Sequence, residues 1–147
     1  MFIFYYAVLS EVSPPTALSP FAAAALTGAN PFKTMLLTWK YTLPAFVVPF
    51  VFTVSPGGAG VLLQGPPSTI VFAVLTAIPG VAMLALAFGG WVRAALTPVE
   101  RGVLGIAGLL LFHASLPGVS LGATSAVVVL ILHFNRHRAP GATLARR

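Results

Sequence analysis

The chain has very little charge. Of its 147 residues, eight are Lys or Arg and only two are acidic, Glu11 and Glu100; there is no aspartate. Charged residues make up 7% of the chain and hydrophobic residues 58%, against about 25% and 45–50% in an ordinary soluble domain. A soluble fold of this size could not cover its surface with so few charges. From Tyr41 to Val92 there is no Asp, Glu, Lys or Arg, and that stretch is more than twice the roughly 20 residues that cross a bilayer. The chain therefore reads as a membrane protein. Cysteine is also absent, which excludes a disulfide framework and a thiolate metal site. With no aspartate, and no Ser-His pair in a recognisable context, nothing points to an enzyme.

The net charge of +6 is no sign of nucleic-acid binding. That would need a basic face or groove, whereas these cations sit at the ends of apolar runs. Arg136, Arg138, Arg146 and Arg147 lie near the C-terminus, as expected of a basic cytoplasmic tail over 135–147. The start, Met1-Phe2-Ile3-Phe4-Tyr5-Tyr6, lacks the basic flank of a signal peptide. It reads as entry into a membrane domain.

Proline, glycine and hydroxyl residues divide the apolar sequence. Ser10-Glu11-Val12-Ser13-Pro14-Pro15-Thr16 interrupts the first greasy segment, predicting a broken helix over 1–29. The break divides either two half-helices or a hairpin with a return arm; the plainer alternative is one proline-kinked span. Asn30-Pro31-Phe32-Lys33 marks a turn over 30–34. A helix over 35–56 follows, with Lys40 between Trp39 and Tyr41 near its start, and Ser55-Pro56-Gly57-Gly58 stops it. Further membrane helices are expected over 68–91, 102–116 and 119–134, the last two joined at Pro117-Gly118. They are either two short spans or a re-entrant hairpin. Thr97-Pro98-Val99-Glu100 has the pattern of a capped helix start. Placing the charged links on one side of the membrane and the uncharged links on the other satisfies an alternating topology. The expected fold is all-α and polytopic: a broken helix or hairpin, then about four transmembrane or re-entrant helices.

The break is the candidate site. Proline lacks an amide donor and frees the carbonyl one turn back, so Pro14 and Pro15 free carbonyls near residues 10 and 11. Those carbonyls and the hydroxyls of Ser10, Ser13 and Thr16 suit a hard cation such as sodium. The start of the following helix favours an anion. The structural alternative is a kink whose hydroxyls bond back to their own helix. Glu11 is a proton carrier, a cation ligand, a partner of Lys33 or Lys40, or an interfacial group. His113 lies in an apolar run. His133 and His137, flanking Arg136 and Arg138, read as tail anchors, and no spacing joins the three histidines into a metal site.

Residues 4–10 (Phe-Tyr-Tyr-Ala-Val-Leu-Ser), Ser13-Pro14-Pro15-Thr16-Ala17-Leu18, Phe21-Ala22-Ala23-Ala24 and Gly28-Ala29-Asn30-Pro31-Phe32-Lys33-Thr34 are together similar to the large permease component of TRAP transporters. The fused-permease branch that works with a TAXI-type solute-binding protein is the nearest match, and residues 45–52 fit it as well. The resemblance spans residues 2–56; beyond that it is one of hydropathy alone. It implies an elevator-type secondary transporter of inverted repeats in a bacterial or archaeal inner membrane, with the C-terminus cytoplasmic. It also implies sodium-coupled uptake of small carboxylates delivered by a periplasmic binding protein, and no cofactor. Ser13-Pro14-Pro15 stands where the family often has Thr-Pro-Pro beside a cation site, so a sodium-ligating role carries to Ser13. Glu11 departs from the pattern and brings in proton coupling. The first repeat, the small-subunit portion and the start of the second repeat have no counterpart here. The resemblance thus implies a C-terminal portion that works with the remaining permease part and small subunit, in contact with membrane lipid. The alternative is a small non-transporting membrane scaffold.

Overall fold

The computed structural model describes residues 1–55, 57–113 and 115–137. The stop at Pro56 and most of the basic tail, 138–147, lie outside the described residues. Among those described there is no strand, and 81% of the structure is helical. The elements are α1 (Phe2–Leu9), a 3-10 turn (Ser10–Val12), α2 (Leu18–Thr27), α3 (Pro31–Val54), the single turn α4 (Gly58–Val61), α5 (Pro67–Gly89), α6 (Pro98–Phe112) and α7 (Leu116–His137). Three of them, α3, α5 and α7, are long and apolar enough to cross a membrane. No more than 28% of the most apolar stretch of each is buried inside the molecule. Their remaining apolar surface is what lipid contact requires. The chain is an all-α polytopic membrane protein.

Several helix boundaries differ from expectation, each for a local reason. Helix α3 starts at Pro31, not 35, because the Asn30 side chain accepts from the Lys33 amide at 3.1 Å and proline fills the first helical position. Pro44 and Pro49 remain inside α3, and both are buried. Gly90, at φ 73°, closes α5 just before the expected end at 91. Helix α6 begins four residues before 102, through a complete capping box: Thr97 accepts from the Glu100 amide, and Glu100 accepts from the Thr97 amide. Pro117-Gly118 is not the link between the last two helices. Pro117 lies in the first turn of α7, where a missing amide costs nothing, and the Ser115 hydroxyl accepts from the Gly118 amide at 3.2 Å. Helix α6 ends at Phe112 and α7 begins at Leu116. Residues 135–137, expected in the tail, form the last turn of α7. With 22 residues, α7 is about 33 Å long and is no short re-entrant arm.

Helices α5, α6 and α7 pack in sequence, and α3 lies against α5. Small residues let the backbones approach. A Cβ added to Gly108 would lie 2.9 Å from the Gly80 carbonyl, and one added to Gly122 would lie 2.9 Å from the Ala107 carbonyl. Ala87, Leu96, Leu104, Ala107 and Ala126 form one core cluster; Val51, Leu84 and Phe112 form another. Polar contacts identify the two ends of the bundle. The Ser55 hydroxyl donates to the Phe112 carbonyl at 3.2 Å, joining the C-terminal ends of α3 and α6. At the opposite end, Arg101 Nε donates to the Ala87 carbonyl at 2.7 Å, joining the start of α6 to the end of α5.

Candidate functional site

Residues 2–27 run beside α3 in two pieces. The Phe2 and Phe50 rings meet at 5.5 Å, Tyr6 and Phe46 at 5.8 Å, and Phe21 and Phe32 at 5.9 Å. Ascending numbers on one side meet descending numbers on the other, so α1 and α2 together make one interrupted antiparallel pass. Between the readings left open by the sequence, the structure selects two half-helices around a break. The Tyr6 hydroxyl donates to the Phe46 carbonyl at 2.7 Å and fixes α1 to α3. The break falls between the Phe46 and Phe32 contacts, beside the middle of α3.

Within the break, Ser13 is extended (φ −118°, ψ 150°), the Pro14–Pro15 bond is cis, and Ala17 enters α2 with φ 40°. In an unbroken helix a residue 14 amide would donate to the Ser10 carbonyl. Proline has no such donor, and the Thr16 hydroxyl takes its place, 2.5 Å from that oxygen. The Ser10 hydroxyl donates to the Ala7 carbonyl at 2.7 Å. The Ala17 amide donates to the Ser13 carbonyl at 3.0 Å, and Ala17 is fully buried. Two of the three hydroxyls proposed as ligands are thus engaged locally. Ser13 is half-buried, and Pro14, Pro15, Thr16 and Glu11 are exposed. Among the described residues Glu11 has no ion pair, so the expected alternative partners, Lys33 and Lys40, do not meet it. Because α3 starts early, Lys40 sits about 14 Å along the helix from Pro31. Its ammonium lies 5.5 Å from the Tyr41 ring, and its long stem lets the charge reach toward water.

A second polar constellation joins α6 to α7. Glu100 is 7% exposed. Its Oε2 accepts from the Thr97 amide at 2.7 Å and lies 3.4 Å from His133 Nδ1. Its Oε1 lies 3.3 Å from Arg136 Nη1. His133 is completely buried, with its ring centroid 4.7 Å from that of His137. It is therefore not a tail anchor: it lies inside the helix pair, against the chain's other carboxylate. His113 is exposed at the opposite end of the bundle. Chemically this is a clamp, with one carboxylate shared by a helix cap and two side chains of the next helix. The sequence pattern shows the cap. The clamp becomes legible only by counting outward from Phe112, the end of α6, and Leu116, the start of α7, which brings the start of α6 beside the end of α7.

No protein-family model, curated protein or solved structure matches the chain.

Proposed function

We propose that this chain supplies the C-terminal part of a TRAP-type permease for ion-coupled uptake of small organic anions, above all carboxylates. In this reading it sits in a bacterial or archaeal inner membrane. It works with the remaining permease part, the small subunit and a periplasmic TAXI-type solute-binding protein. The observation that carries the reading is the position of the break. An interrupted helix whose hydroxyls and irregular backbone lie halfway along a neighbouring span suits a mid-depth ion or substrate site. Ser13 supplies a hydroxyl to sodium, and Glu11 supplies a carboxylate to the ion or carries a proton. Ser10, Pro14, Pro15 and Thr16 shape that wall of the site, the other wall coming from the missing part. The C-terminus lies in the cytoplasm, since the basic residues gather at that end.

The bond from Thr16 to the Ser10 carbonyl favours a second reading, a non-transporting membrane scaffold. A break that satisfies its own freed carbonyl can be structural only. Uptake of a radiolabelled dicarboxylate into proteoliposomes holding the reconstituted full permease separates the two. The transport reading expects Ser13→Ala to weaken sodium dependence about tenfold, as for a lost ligand worth about 1.4 kcal/mol. It expects Glu11→Gln to change either the sodium or the pH dependence. If both variants keep wild-type uptake and ion dependence, the break is a kink and the scaffold reading stands.

A further inference from the structure

The end of the bundle that gathers Arg93, Arg101 and Arg136 also holds a cleft. Two of these cations are engaged: Arg101 on the Ala87 and Phe88 carbonyls at 2.7 and 3.4 Å, and Arg136 on Glu100. Arg93 is exposed and has no carboxylate partner among the described residues. It lines a cleft of about 470 Å³ together with Ile131, Phe134 and Asn135 of α7. The lining is divided by chemistry. Arg93 and Asn135 offer N–H donors, whereas Ile131, one turn deeper along α7, and Phe134 offer hydrocarbon. Trp91, two residues from Arg93, is 64% exposed. An exposed tryptophan where apolar helices end marks the headgroup level of a bilayer.

We infer that this cleft between the α5–α6 connection and the end of α7 binds one anionic phospholipid. The headgroup phosphate lies on Arg93 and Asn135, and an acyl chain runs along Ile131. Charge complementarity selects the occupant, because an unpaired guanidinium at headgroup depth attracts an anionic lipid over a zwitterionic one. The apolar floor selects a lipid over a free anion, which would gain nothing from Ile131 and Phe134.

The test is native mass spectrometry of the full chain released from nanodiscs of equal phosphatidylglycerol and phosphatidylcholine. The retained lipid should be enriched about fivefold in phosphatidylglycerol, the selectivity of a single cation near the membrane surface. Arg93→Gln, an exposed substitution, should return retention to the bulk ratio, and Ile131→Asn should lower it too. Lys33→Gln, which removes a cation away from the cleft, should leave it unchanged. Equal loss in Lys33→Gln and Arg93→Gln would reduce the effect to general surface charge and overturn the site. Undiminished enrichment in Arg93→Gln would do the same. Displacement of the lipid by millimolar inorganic phosphate would assign the cleft to a soluble anion instead.

Discussion

Glu100 shows how one side chain can hold two helices. Its carboxylate accepts from the Thr97 amide and meets both His133 and Arg136. Removing it takes the acceptor from the Thr97 amide and the one carboxylate from beside the buried His133, whereas the guanidinium of Arg136, 55% exposed, turns to water. Leaving a buried polar group without its partner costs about 1–3 kcal/mol. Glu100→Ala should therefore destabilise the chain by about that much in detergent-solubilised thermal unfolding. Thr97→Ala removes only the cap hydroxyl and should cost about 1 kcal/mol. Because both substitutions act on one network, the double variant should fall short of their sum. Additive costs would show that cap and clamp are independent. The other carboxylate, Glu11, behaves differently. It stands exposed within the break, where removing it should leave folding intact, so unchanged thermal unfolding of Glu11→Gln would separate a loss of stability from any effect on the proposed transport.

At the scale of elements, glycine placement decides how closely helices pack. Gly108 lies where α5 and α6 cross, and its missing side chain leaves room for the Gly80 carbonyl and the Leu84 side chain. A methyl there would come within 2.9 Å of backbone that cannot rotate away, so Gly108→Ala should cost about 1–3 kcal/mol. Gly102, on the same helix, has nothing within 4 Å of its added Cβ. There alanine should be neutral, or stabilising by up to about 1 kcal/mol, through its better helix propensity. Thermal unfolding of the two variants side by side checks the contrast; equal costs would mean that helix α6 does not pack as described. The elements themselves were largely readable in advance. Apolar run length marks α3 and α5; the Thr97–Glu100 pattern marks the observed start of α6, four residues before the 102 expected from the apolar run. Pro117 is the exception: beside Gly118 it suggests a breaker, but a proline in a first turn is compatible with helix. Ser115, two residues earlier, is the signal that corrects it.

At the scale of the whole molecule, the helix ends sort by charge. The ends that carry Arg93, Arg101 and Arg136 lie together, and the Ser55–Phe112 contact marks the uncharged end. The absence of cysteine makes this testable without background labelling. Single cysteines at Arg93 and Lys33 should react with a membrane-impermeant maleimide from one side only. Those at Gln64 and His113 should react from the other side, if α3, α5 and the α6–α7 pair each cross. Labelling of positions 64 and 93 from the same side would refute a crossing by α5.

The sequence alone determined the solvent this protein lives in, its helical class and the place of its interruption. Those follow from composition, run length and the missing amides of Pro14 and Pro15, properties each residue carries wherever it lies. Tertiary structure decided what the interruption does with its freed groups. Thr16 reaches back to Ser10, and the aromatic contacts set the break beside the middle of α3. It also brought Glu100 to His133, because partners more than thirty positions apart meet only when α6 and α7 fold back on each other. Local chemistry writes the elements; which polar groups find one another depends on the packing that small residues at the helix crossings allow.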